Sequence, residues 1–257
     1  MQIDWTQTYA AIWRQQKGYL RPVIAIDPIT LDSLVGIDRQ KRALLSNTQR
    51  FLNKQPCNNA LLWGSRGTGK SSIVKAVLNE LKPEGLRLIE VFKHDLRNLP
   101  DIVDEIRDLP YRFVIYCDDF SFEENESTYT ALKTVLDGSV ELPPENVILY
   151  ATSNRRHLVP EYHRDSDGTK LVDGELHYSD TVEEKISLAD RFGLTLSFYP
   201  PNQQQYLDIV DSYFSDFIGD REKLHEEAKR FAMGKASKSG RTALHFYNYY
   251  SGLDSST

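Results

Sequence analysis

The sequence predicts a three-layer α/β core, a mostly parallel sheet with helices on both faces, followed by a small all-helical C-terminal unit. Three observations carry this expectation. Short apolar runs alternate with amphipathic runs across residues 39–198. A glycine-rich loop, Gly64-Ser65-Arg66-Gly67-Thr68-Gly69-Lys70-Ser71, separates one apolar run from the next helical one. Pro200-Pro201 then closes the alternation, and only helical spacing follows.

The elements follow in order. Ile3, Trp5, Tyr9, Ile12, Trp13 and Leu20 stand at loosely helical spacing, so residues 1–33 are expected to be a helical segment. Its tryptophans should pack on the chain's own domain, with docking on a partner as the alternative. Arg39 to Phe51 reads as a helix with Ala43, Leu44 and Leu45 at apolar positions. Asn59 to Trp63 is a short buried strand ended by Gly64, and Ser71 to Lys82 is a helix closed by Pro83 and Gly85. Leu86–Phe92, Arg112–Cys117, Asn146–Thr152 and Gly193–Phe198 read as strands. Leu99–Leu109, with Pro100 in its first turn, and Glu126–Leu136 read as helices. Parallel strands need crossovers long enough for a helix, and these connections have that length. The α/β core is therefore set at residues 34–199 and a helical lid at 200–257, with helices over Gln203–Ile218, Arg221–Met233 and Thr242–Tyr250. Glu161 to Ser179 is polar and reads as a loop or a hairpin.

Composition narrows the function classes. The 257 residues are 40% hydrophobic and 26% charged, which fits a folded domain rather than a disordered or fibrous chain. A net charge of −6 gives no overall pull toward nucleic acid, though a local basic groove is not excluded by it. Two cysteines, Cys57 and Cys117, make neither a disulfide framework nor a metal cluster, so a cytoplasmic setting is expected. No apolar run is long enough for a membrane span, and residues 1–11 do not read as a secretory signal. His157, His163 and His177 lie near several aspartates at spacings that fit no common metal motif.

The glycine-rich loop carries the strongest chemistry. Gly64 to Ser71 matches G-x-x-x-x-G-K-[ST] in full, after a strand and before a helix, the context that gives the motif meaning. Gly67 and Gly69 let successive backbone N–H groups turn inward on phosphate oxygens, and the helix N-terminus adds partial positive charge. Lys70 is suited to neutralise β- and γ-phosphates, and the Ser71 hydroxyl to ligate Mg²⁺. ATP with Mg²⁺ is the expected ligand. Ser65, Arg66, Thr68 and Ser72 complete the loop, with Arg66 equally readable as a solvated residue. Phe113 to Cys117 forms an apolar strand that ends in Asp118-Asp119. Ligands bind at the carboxyl ends of such strands. Asp118 would hold the metal, and Asp119 would act as base toward the attacking water.

Beyond these two motifs the chain resembles the AAA+ family of ATPases. Leu34-Val35-Gly36-Ile37 looks like the family's adenine-packing box, which assigns Val35 and Gly36 to the nucleotide. Ala151-Thr152-Ser153-Asn154 resembles sensor 1, which assigns Asn154 to orienting water near the γ-phosphate. Asp190-Arg191-Phe192 is placed like the arginine-finger segment, and Ser239-Gly240-Arg241 like sensor 2. The resemblance gives Arg191 a role toward a neighbouring protomer's nucleotide and Arg241 one over the γ-phosphate; an ion pair and a surface helix residue are the alternatives. More narrowly, the loop, Asp-Asp-Phe-Ser-Phe-Glu, Ala-Thr-Ser-Asn-Arg-Arg-His-Leu and Glu-Glu-Lys-Ile-Ser-Leu-Ala-Asp-Arg-Phe-Gly-Leu are similar to a bacterial family of uncharacterised AAA+-type proteins, the domain-of-unknown-function 815 family. One departure matters: most AAA+ ATPases carry Asp-Glu where this chain has Asp118-Asp119, one methylene shorter, with Glu123 or Glu124 as weak substitutes.

Two function classes result. One is an Mg²⁺-dependent ATPase that remodels or loads a protein partner, working as a homo-oligomer. The other is a nucleotide-gated binding module with slow or no hydrolysis, which the short acid at Asp119 favours. A small-molecule kinase is a third reading, opposed by the sensor-like and lid motifs. Arg155 and Arg156 would face a neighbour or solvent. Phe246, Tyr247, Tyr249 and Tyr250 are expected to pack the lid rather than stack on bases.

Overall fold

The structure is a computed structural model, and it describes residues 3–120, 126–137, 142–154, 169–172, 175–178 and 190–254. The chain begins with strands β1 (Ala10–Arg14) and β2 (Tyr19–Pro22), then helix α1 (Asp38–Leu52), strand β3 (Ala60–Gly64) and helix α2 (Lys70–Leu81). It continues with β4 (Leu86–Glu90), α3 (Leu99–Ile106), β5 (Arg112–Cys117), α4 (Glu126–Asp137) and β6 (Val147–Ser153). A separate antiparallel hairpin, β7 (Thr169–Val172) with β8 (Glu175–Tyr178), lies within the polar Glu161–Ser179 stretch. Strand β9 (Leu194–Phe198) precedes the helices α5 (Gln203–Tyr213), α6 (Arg221–Gly234) and α7 (Gly240–Asp254).

Seven strands form one sheet in the order β2-β1-β4-β5-β6-β3-β9. Every neighbouring pair is parallel except β1 with β2. Strands buried on both faces carry near-continuous apolar runs, which is why Ala60 to Trp63 and Phe113 to Cys117 read so plainly. Leu44, Phe51, Ile73 and Val77 from α1 and α2 pack on one face of the sheet. Leu99, Ile102, Val103 and Leu132 from α3 and α4 pack on the other. The C-terminal helices hold a cluster of their own around Tyr206, Val210, Phe214, Leu224 and Phe246. Tyr247 and Tyr250 pack against that cluster, in line with the packing role expected for the aromatic end of the chain.

The N-terminal segment corrects an expectation. Residues 10–22 are not helical but form a β-hairpin that extends the sheet beyond β4. The period is two: Ala11 and Trp13 enter the core on the α3/α4 side, and Ala10 enters the opposite one. Trp5 meets Phe113 edge-on at 4.9 Å. Both tryptophans are thus buried within the chain itself, in agreement with the first of the two packing alternatives. Pairing with β4 covers a sheet edge and sets two large rings in the core, which outweighs a weak helical pattern. Arg87 of β4 anchors the segment. Its guanidinium lies between the rings of Tyr9 and Tyr111, 4.7 and 4.3 Å from their centroids. It donates from Nε and Nη2 to the Trp5 carbonyl and from Nη1 to the carbonyls of Lys82 and Leu86.

Candidate phosphate- and metal-binding site

The carboxyl ends of β3, β5 and β6 converge on one cleft. The loop after β3 starts at Gly64, which lies so close to β9 that a Cβ there would stand 1.9 Å from the Phe198 carbonyl oxygen. Ser65 N–H donates to that same oxygen at 3.1 Å. Gly67 and Gly69 hold φ of 73° and 96°, in the left-handed region that glycine supplies, and Gly69 hands the chain directly to α2. Thr68 Oγ1 closes the loop on itself by donating to the Ser65 carbonyl at 2.7 Å. Arg66 is exposed, Ser72 half-buried in the first turn of α2.

Lys70 is buried, with its ammonium at the centre of the site. It donates to the carbonyls of Gly64 at 2.8 Å and Ser65 at 2.7 Å, and to Asn154 Oδ1 at 3.0 Å. Burial pulls its pKa below the usual lysine value. Asp118 and Asp119 oppose that shift, and Arg66 and Arg241 add to it. Asn154 Nδ2 donates to Asp119 Oδ1, so one amide joins lysine to carboxylate. Asp119 itself takes φ of 56°. Aspartate tolerates that conformation better than most residues, and here the Asp119 N–H meets Thr152 Oγ1 at 3.0 Å.

The other side of the cleft is built from Ser71 and Asp118. Ser71 Oγ donates to Asp118 Oδ1 at 2.8 Å, and Thr152 Oγ1 donates to the same oxygen. Packing raises the Asp118 pKa, but the hydroxyls around it, led by Thr152, outweigh that and hold the carboxyl below its usual range. Tyr116, two residues earlier on β5, brings its hydroxyl near this group without being placed for a hydrogen bond. Burial pushes its pKa far up. No cluster of three or more His, Cys, Asp or Glu able to hold a metal occurs among the described residues. A hydroxyl, one carboxylate and a buried orphan hydroxyl instead suit hydrated Mg²⁺, which keeps much of its water shell and takes phosphate oxygens as ligands.

Two further segments reach the loop. Ile37, half-buried at the end of the Leu34–Ile37 box, has its Cδ1 3.3 Å from where a Cβ on Gly69 would stand. Val35 is half-buried and Gly36 exposed, with φ of 81°. From the C-terminal unit, Gly240 N–H donates to the Gly67 carbonyl at 3.0 Å. Ser239 Oγ lies 2.9 Å, and Arg241 Cβ 3.4 Å, from a Cβ built on Gly67. Arg241 thus stands at the loop. Arg191 does not: it precedes β9 at the end away from Phe198. Glu123, Glu124, Arg155, Arg156, His157 and His163 lie outside the described residues. Tyr116 is a site residue outside every matched motif, and Thr152 and Ser239 lie within matched segments that assign them no role. Period-two alternation from Asp118 is the one signal for Tyr116.

Solved structures share this fold. Aeropyrum pernix ORC1 protein in complex with DNA matches with a TM-score of 0.60 and 17% identity, covering 82% of this chain and 58% of that one. A single-residue variant of Thermotoga maritima RuvB matches with a TM-score of 0.51 and 14% identity over 87% of this chain and 72% of that one. At such identities the likeness shows the fold, which is the AAA+ P-loop fold. An ORC1-type DNA replication protein 14 of Haloarcula marismortui is 40% identical over 60 residues. That match spans 22% of this chain and 14% of the relative's length. The family described as protein of unknown function (DUF815) has a model that matches residues 6–254, nearly end to end, and this chain belongs to that family.

Proposed function

We propose that this protein binds ATP with Mg²⁺ in the cleft around Lys70 and hydrolyses it to change the state of a protein partner. One observation carries the reading: Lys70, Asn154 and Asp119 form one hydrogen-bonded set, and Ser71 with Asp118 forms a second, both at the mouth of a P-loop. Loop N–H groups from Ser65 to Ser72 receive the phosphates, and Lys70 exchanges its carbonyl partners for β- and γ-phosphate oxygens. Val35 and Gly36 flank the base. Ser71 and Asp118 hold the metal, which when bound neutralises charge on the phosphate oxygens. Asp119 takes the proton of the attacking water, Asn154 fixes that carboxylate, and Arg241 covers the γ-phosphate from the lid. Arg191, remote from its own loop, serves the nucleotide of a second copy in a homo-oligomer. The lid comprises residues 200–257, and the N-terminal hairpin belongs with the core sheet.

A slower variant of this reading has its own support. Asp119 is shorter than glutamate and is tied down by Asn154. Steady-state phosphate release separates the two. Turnover that disappears in Asp119→Asn, while ATP binding remains, supports an ATPase. ATP binding without turnover at any protein concentration leaves a nucleotide-gated module. Capture on the ATP-loaded Asp119→Asn protein then identifies the partner; recovery of nucleic acid instead of protein would overturn the protein-partner part.

A further inference from the structure

We propose that the Tyr116 hydroxyl is an outer-shell partner of the site's hydrated metal ion, accepting a hydrogen bond from a metal-bound water beside Ser71 and Asp118. This rests on the Mg²⁺-nucleotide reading above and adds a positioning residue to it. Alternation along β5 turns Tyr116 and Asp118 to the same face, toward α2. Tyr116 is only 3% exposed, and its hydroxyl oxygen is shut from solvent with no hydrogen-bond partner. Its surroundings are Ser71, Thr152 and Asp118, and the protons of the two hydroxyls are committed to Asp118, which leaves the phenol's own lone pairs without a donor. Ser71 and Thr152 both give their protons to Asp118 Oδ1, and Thr152 Oγ1 also accepts from the Asp119 N–H.

The neighbouring tyrosine shows that the fold can satisfy such a group. Tyr150 stands in register with Tyr116 on β6, and its hydroxyl is met by Asn47 at 3.0 Å and Thr48 at 2.8 Å. A buried orphan hydroxyl forfeits the hydrogen bonds it had in water, and phenylalanine would fill the same space without that loss. A second carboxyl lies on the neighbouring strand. Glu90 is in register with Tyr116 on β4 and half-buried. Burial, then the Asp118 charge, push its carboxyl above the usual range. An orphan hydroxyl beside a Ser–Asp pair is what a metal-bound water, a proton donor, would satisfy.

Thermal unfolding of wild type and Tyr116→Phe tests this without any activity measurement. Three conditions are needed: nucleotide-free, ATP with EDTA, and ATP across an Mg²⁺ titration. The variant is expected to match or exceed wild type when nucleotide-free and to gain the same stabilisation from ATP in EDTA. Its half-saturating Mg²⁺ is expected to rise about five- to tenfold. An unchanged Mg²⁺ midpoint overturns the proposal while leaving the nucleotide reading intact. So does an equal loss of stability in all three conditions, which marks a purely structural tyrosine. Absence of any ATP-dependent stabilisation in wild type removes the nucleotide reading and this inference with it.

Discussion

Single atoms decide much at this site. A methyl at Gly64 would meet the Phe198 carbonyl at 1.9 Å, with φ at +133°. Both partners are backbone, and neither can withdraw without parting β3 from β9. Gly64→Ala is expected to cost ~3 kcal/mol or more, seen as a lower urea midpoint. Gly85, also at positive φ but with nothing within 4 Å, provides the control, and Gly85→Ala should lose only ~1 kcal/mol. Asp118 gives a pH signature. Its folded pKa lies below the unfolded value of 3.8, so its contribution is full above about pH 4. That stability is lost as pH falls through the depressed value. Asp118→Asn should therefore flatten the acid limb of stability below about pH 4, as followed by denaturant unfolding. An unchanged limb would mean that the surrounding hydroxyls do not favour the charged form. Lys70, Ser71 and Asp118 are legible in the sequence because their spacing is a local property of strand, loop and helix. Thr152 and Tyr116 are not, because their roles depend on the register of β5 against β6.

Elements with strong periodicity can be read from the sequence to within a few residues, and the one that misleads has the weakest pattern. Residues 3–20 mix two tryptophans with polar residues at no clean period. Their conformation is fixed by β4, which is distant in sequence. Arg87 is the visible agent of that control. Arg87→Met removes four hydrogen bonds and leaves the Trp5 carbonyl without its donors. A loss of ~2–3 kcal/mol is expected, together with faster amide exchange across residues 5–14 than across β5. Uniform destabilisation with no local change in exchange would show that the N-terminal segment is held by other contacts. The polar stretch around residue 170 offers no choice between loop and hairpin, since its short strands carry little apolar signal. In the structure it contains the β7–β8 hairpin.

At the scale of the molecule, the sequence indicates a core followed by a helical unit, and the Ser239-Gly240-Arg241 resemblance points that unit back toward the phosphate loop without giving the contact. The connection runs through the loop: Gly240 N–H to the Gly67 carbonyl, with Ser239 in the space a side chain at position 67 would need. Gly67→Ala is expected to loosen this contact, raising exchange at residues 239–243 while the three-helix cluster stays folded. Protection unchanged at 239–243 would count against the contact. If the oligomeric reading holds, Arg191→Ala keeps ATP affinity but abolishes the rise of turnover with protein concentration. Persistence of that rise would rule Arg191 out as the group acting between copies. The Gly67 contact has a counterpart at the other end of the helical unit. The chain enters that unit just after Phe198, whose carbonyl is bonded to Ser65, and the start of α7 returns to Gly67, two residues along the same loop. The helical unit is therefore pinned twice, at neighbouring points of one short loop. A twist of the backbone between Ser65 and Gly67 would reach both ends of the helical unit at once and is expected to turn it as a crank turns, not to lift it as a flap.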